Sequence, residues 1–230
     1  MICIYRRQLT LKMDHQDMNE IVKQFGKMRV IPVVAIEDEK DAMELAEALI
    51  GGGLPCAEIT FRTAAAAGTI RIMANRGDML VGAGTVLKVD QVKAAFDAGA
   101  RFIVAPGFNP KVVGYCVENN IPVIPGIVTP SEIEAALDFG LNVFKFFPAE
   151  VFGGLNTLKA MSGPYGAVQF IPTGGINPAN LCEYLKFSKI LACGGSWIAK
   201  TASISEGRFD EILGNAKEAV ALVKTLNPSP

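Results

Sequence analysis

The chain has 230 residues, half of them apolar, with 22 Lys plus Arg against 23 Asp plus Glu and a formal charge of −1. That length suits one large α/β domain with a sizeable core, with two small domains as the alternative. No basic tract runs along it and no apolar stretch approaches ~18 residues, so neither nucleic acid nor a membrane is an expected partner. In residues 1–15, Arg6 and Arg7 interrupt any signal-peptide core. This segment is expected to be an N-terminal extension outside the fold, with Met13 or Met18 as alternative starts. Residues 16–230 are expected to form a single domain. The only histidine, His15, falls in the extension, which argues against a His-based triad or metal site. The cysteines, Cys3, Cys56, Cys116, Cys182 and Cys193, are odd in number and form no C-x-x-C pair. They read as reduced thiols of a cytoplasmic protein, with Cys56 and Cys193 in its core.

In chain order, a helix is predicted over 18–26 and a first strand over 30–36. The helix over 38–50 has acids in its first turn and stops at Gly51-Gly52-Gly53. Strands follow over 56–60 and 80–82, then a helix over 90–98 with Asp90 as its N-cap and Gly99 at its end. Further strands are expected over 102–105 and 123–125. The helix over 130–139 starts from Thr129 as N-cap, Pro130 and the capping-box acid Glu132. Strands over 143–147 and 169–172 precede a helix opened by Asn177-Pro178. The last strand is predicted over 190–193 and the last helix over 209–226. Eight β-rich runs about 20–27 residues apart, alternating with helices, imply parallel βα units. The expected fold is an α/β protein, a closed (β/α)8 TIM barrel with an extra N-terminal helix. An open doubly wound sheet is the alternative, weakened because no G-x-G-x-x-G turn follows strand 1.

Barrel active sites gather at the C-terminal ends of strands, and two lone charges stand there. Lys145 is the only charge in LNVFKFFPA. Side chains alternate along a strand, so Phe144 and Phe146 face one way while Lys145 faces the other, into the barrel. Burial penalises the ammonium form, and the neutral amine is what attacks a carbonyl. The competing reading is a lysine that snorkels to solvent or pairs with a buried acid. Glu58 in CAEIT shares a face with Cys56 and Thr60 and could approach Lys145 across the interior. It could then act as a proton shuttle or as the partner of a structural ion pair. Arg62, of the same parity, could bind a carboxylate bidentately or be a solvated loop arginine. Thr85 follows two glycines, Gly82 and Gly84, read as freeing backbone amides for a ligand. Thr173-Gly174-Gly175 and Gly195-Ser196 follow strands 7 and 8, where barrels commonly bind phosphate at glycine-rich turns. Two tight turns without a ligand are the alternative there.

Taken together, E-I-T-F-R at 58–62, V-G-A-G-T at 81–85, A-P-G at 105–107, I-P-G-I at 124–127, F-K-F-F-P-A-E at 144–150, P-T-G-G-I at 172–176 and G-G-S-W at 194–197 resemble one family. It is that of the bacterial 2-keto-3-deoxy-6-phosphogluconate (KDPG) aldolases, many also active on 4-hydroxy-2-oxoglutarate. The resemblance spans residues 30–199 and implies a homotrimeric class I aldolase that needs no cofactor and no metal. It matches Lys145 to the Schiff-base lysine and Glu58 to the general acid/base. Arg62, Thr85 and Pro106 match positions around the pyruvate moiety, and Phe147 the aromatic beside the lysine. Thr173, Gly174, Gly175 and Ser196 match the phosphate end. The rival readings are an aldolase for the galactonate epimer, a phosphosugar isomerase or epimerase on the same barrel, and a non-catalytic phosphosugar-binding protein.

Overall fold

A computed structural model describes residues 15–226. The extension expected over 1–15 lies outside the described residues except for His15, where helix α1 (His15–Met28) begins. Strands and helices then alternate: β1 (Val30–Val34), α2 (Ala42–Gly51), β2 (Cys56–Thr60), α3 (Ala66–Ala74), β3 (Leu80–Gly84), α4 (Val89–Asp97), β4 (Ile103–Val104) and α5 (Pro110–Glu118). There follow β5 (Val123–Ile124), β6 (Gly126–Ile127), α6 (Pro130–Leu137), β7 (Val143–Phe146), α7 (Gly154–Ser162), β8 (Gln169–Pro172), α8 (Pro178–Leu185), β9 (Cys193–Gly195), α9 (Thr201–Ser205) and α10 (Phe209–Leu226).

The closed eight-stranded TIM barrel expected from the sequence is not what forms. The strands make two parallel sheets, one of six in the order β5-β4-β3-β2-β1-β9 and one of three in the order β6-β7-β8. The result is a barrel-like α/β fold with two seams. At one seam the strand expected over 123–125 is cut at Pro125, which has no N–H to continue a ladder. Its carbonyl still accepts from Lys145 N at 2.9 Å, so the chain passes from the larger sheet to the smaller one there. At the other seam β8 and β9 meet only through isolated bridges, Phe170 to Ile190 and Thr173 to Gly194. The last strand is also displaced from the predicted 190–193. Beside it Arg29 Nη1 donates to the carbonyls of Ile190 and Leu191 at 2.9 and 3.0 Å.

Local signals place most helix starts. Glu132 Oε2 accepts from Thr129 N at 2.9 Å at the head of α6, and Asn177 Oδ1 accepts from Ala179 N at 2.9 Å at the head of α8. Helix α4 starts one residue earlier than expected. Its cap is not Asp90: Gln91 Oε1 reaches back to the N–H groups of Leu87 and Lys88 at 2.7 and 3.2 Å.

Strand alternation splits the buried side chains into two clusters. Val34, Ala57, Ile59, Phe144 and Phe146 face the helices. Ile31, Cys56, Leu80, Val104 and Val143 face inward, where Ile21 and Phe25 of α1 close the N-terminal end of the strands. Phe25 meets Phe102 edge-on at 5.1 Å, a contact worth about 0.5–1.5 kcal/mol beyond its buried area. This apolar plug leaves the opposite, C-terminal end of the strands as the open one.

Candidate active site

At that open end lies a cavity of about 270 Å³, lined by Lys145, Phe147, Thr60, Arg62, Thr85 and Thr173 among others. Lys145 reaches this cavity from a buried ion pair with Glu58, which does not itself line it. Lys145 Nζ donates to Glu58 Oε1 at 2.9 Å, with side chains only 7 % and 5 % exposed. Register explains the meeting. Lys145 stands opposite Gly126 on one side and Ile171 on the other, and Glu58 stands between Val33 and Gly82. Two charges taken from water depend on each other, and deleting one partner of such a pair costs about 3–5 kcal/mol. The Phe147 ring lies 5.4 Å from Lys145 Nζ, within cation–π range, and lines the cavity beside it.

Glycine supplies the room for this pair. A Cβ at Gly84 would lie 2.2 Å from Glu58 Oε1 and 2.7 Å from its Cγ. A Cβ at Gly82 would lie 2.3 Å from the Phe102 ring. These two glycines were read from sequence as freeing amides for a ligand. In the structure each leaves space for a neighbouring side chain instead. Thr85, next in the chain, is a non-glycine residue at φ 55°. That strained backbone sets its side chain at the cavity wall.

The other expected residues divide. Arg62 is exposed at the cavity edge, while Thr173, Gly174 and Ser196 line the wall formed by the turns after β8 and β9. Pro106 does not line the cavity. Its carbonyl packs on Gly126, where a Cβ would come within 2.2 Å, and so it supports the strand next to Lys145. Gly175 and Gly195 do not line the cavity either. Cβ atoms there would meet the Glu150 side chain at 2.6 Å or less and the Trp197 ring at 2.8 Å. Thr60, Lys200 and Thr201 line it without having been singled out from sequence. For Thr60 the signal was available, since it shares the parity of Glu58. It is buried and donates to Val34 O at 2.9 Å. For Lys200 no local pattern exists. Among the described residues no group of three His, Cys, Asp or Glu side chains is placed to hold a metal ion. What the cavity offers is an amine that can add to a carbonyl, a carboxylate in direct contact that can move protons, and polar walls on two sides.

The family model described as "KDPG and KHG aldolase" matches residues 21–214. The chain is 48% identical over 204 residues to the 2-dehydro-3-deoxy-phosphogluconate aldolase of Treponema pallidum, covering 88% of this chain and 97% of that one. The 2-keto-3-deoxy-6-phosphogluconate aldolase of Zymomonas mobilis, solved with 3-phosphoglycerate, superposes with a TM-score of 0.83 at 39% identity, covering 89% and 97% of the two chains. The KDPG aldolase of Legionella pneumophila, solved with pyruvate captured at low pH as a covalent carbinolamine intermediate, gives a TM-score of 0.83 at 39% identity, covering 86% and 97%.

Proposed function

The chain belongs to the KDPG and KHG aldolase family, and on that premise we propose how its cavity cleaves 2-dehydro-3-deoxy-6-phosphogluconate to pyruvate and glyceraldehyde 3-phosphate. The observation that carries the reading is the buried contact of Glu58 with Lys145, the lysine that lines the cavity. The Lys145 amine adds to the C2 ketone, and Glu58 moves the protons that turn the carbinolamine into an iminium with loss of water. The iminium draws the electron pair of the C3–C4 bond as that bond breaks. Glu58, directly or through a water, takes the C4 hydroxyl proton, and glyceraldehyde 3-phosphate leaves. The enamine is protonated at C3, water adds to C2, and pyruvate departs with the free amine restored. The iminium is the electron sink, the part a Lewis-acidic metal takes in other aldolases.

In this reading Arg62 and Thr85 hold the carboxylate end beside Phe147, with Pro106 shaping the same wall from behind. Thr173, Gly174, Ser196 and the turns containing Gly175 and Gly195 hold the phosphate. The shorter 4-hydroxy-2-oxoglutarate is cleaved by the same steps to pyruvate and glyoxylate. A homotrimer in the cytoplasm, built from one domain spanning 16–230, completes the proposal, and sedimentation analysis tests the assembly. The chemistry is tested by incubation with pyruvate and borohydride, followed by peptide mass spectrometry. Label is expected on Lys145. Label on another lysine, or none, sinks the mechanism, and a phosphosugar isomerase would give none.

A further inference from the structure

We propose that Lys200 is a specificity residue, supplying the positive charge that makes this cavity favour a substrate ending in phosphate. The inference rests on the functional reading above. The groups that reading gives to the phosphate end, Thr173, Gly174, Gly175, Gly195 and Ser196, are all neutral. A phosphate monoester carries close to two negative charges at pH 7, and neutral donors alone leave that charge without a counterion. Three cations line the cavity and no carboxylate does. Lys145 is tied to Glu58, and Arg62 follows β2. Lys200 stands just beyond Ser196, on the wall formed by the turn after β9, and is exposed. Besides the paired Lys145, the cavity thus carries two cations, on the segments after β2 and β9, for a substrate that carries two anionic groups.

Lys200 is also uncommitted. The nearby Glu211 feels its field, yet Oε1 of that carboxylate accepts from Ser203 Oγ at 3.2 Å and Oε2 from Arg208 Nε at 2.7 Å. Among the described residues Lys200 forms no ion pair of its own. A long, flexible, unpaired ammonium at a cavity mouth can swing onto an anion without breaking another contact. The substrate that ends in a carboxylate at C5 stops short of this wall.

The test compares kcat/KM for 2-dehydro-3-deoxy-6-phosphogluconate and for 4-hydroxy-2-oxoglutarate in wild type, Lys200→Gln, Lys200→Arg and the charge-matched control Lys217→Gln on α10. The ratio of the two values is expected to fall about five- to ten-fold in Lys200→Gln, between the effect of an exposed ion pair and that of a charge-assisted hydrogen bond. Lys200→Arg should recover most of it, and Lys217→Gln should leave it unchanged. The phosphorylated substrate should also lose part of its salt sensitivity between about 10 and about 150 mM salt in Lys200→Gln. An unchanged ratio, or equal loss on both substrates, overturns the role of Lys200 while leaving the aldolase reading intact. A wild-type chain that cleaves neither substrate and traps no pyruvate overturns the functional reading itself, and this inference with it.

Discussion

The placement of Glu58 depends on the absence of a single methyl group, so Gly84→Ala is the most informative perturbation of the site. The added Cβ would sit 2.2 Å from Glu58 Oε1, 2.7 Å from Cγ and 2.8 Å from Cδ. Ordinary contacts of this kind lie at about 3.5–4.0 Å, so the carboxylate must retreat by more than about 1 Å. Its bond to Lys145 Nζ is now 2.9 Å, and such a retreat takes it past hydrogen-bonding reach. A misplacement of about 1 Å in a catalytic group costs on the order of 100-fold in rate. Overpacking in a filled interior costs about 1–3 kcal/mol of stability, or roughly 2–4 °C in Tm per kcal/mol for a domain of this size. The expected outcome for Gly84→Ala is a folded protein with a Tm several degrees lower and kcat down about 100-fold, read by coupling pyruvate release to NADH oxidation by lactate dehydrogenase. Gly107→Ala is the control, since nothing lies within 4 Å of a Cβ there. Shortening the clashing side chain should relieve the strain, so the Gly84→Ala/Glu58→Asp double variant should be less impaired than the product of the two single effects. A folded Gly84→Ala enzyme with wild-type kcat would refute the reasoning, because Glu58 would then not be needed where it stands.

Ser196→Ala should lower kcat/KM for the phosphorylated substrate by about 10- to 150-fold, the loss of one neutral donor to a charged group; Arg62→Ala should instead weaken pyruvate trapping and the cleavage of both substrates. Equal damage to pyruvate trapping by Ser196→Ala would mean that the two ends of the cavity are exchanged. Activity should survive EDTA in the coupled assay, because the proposed electron sink is an iminium; loss that a divalent metal restores would contradict it. Burial raises the thiols of Cys56 and Cys193 and pushes that of Cys116 up to about 12, so iodoacetamide at pH 8 should label half-buried Cys182 first among the four described cysteines. These raised groups keep their protons in the fold while the unfolded chain loses them from about pH 9 upward. Their contribution to stability is therefore complete below about pH 9 and falls as pH rises toward 12. A Tm as high at pH 10 as at pH 8 would count against that burial.

The sequence by itself determined what is local. Strand alternation fixes parity within a few residues, so FKFF sets Lys145 opposite Phe144 and Phe146, and CAEIT sets Glu58 with Cys56 and Thr60, without knowledge of the fold. The starts of α6 and α8 follow from Thr129, Glu132 and Asn177, because a cap is made by residues two or three positions away. Tertiary structure decided everything set by partners distant in the chain. Whether the strands close on themselves turned on Pro125 breaking one ladder and on β8 meeting the last strand only at the Phe170–Ile190 and Thr173–Gly194 bridges. Gly82 and Gly84 look alike in sequence, yet one makes room for Phe102 and the other for Glu58. The 2.9 Å between Lys145 and Glu58 joins positions 87 residues apart, and Lys200 reaches the same cavity from a loop with no motif of its own. Periodicity and capping are properties of neighbouring residues, so they can be read in order; hydrogen-bond competition and close packing are properties of surfaces that meet only after folding.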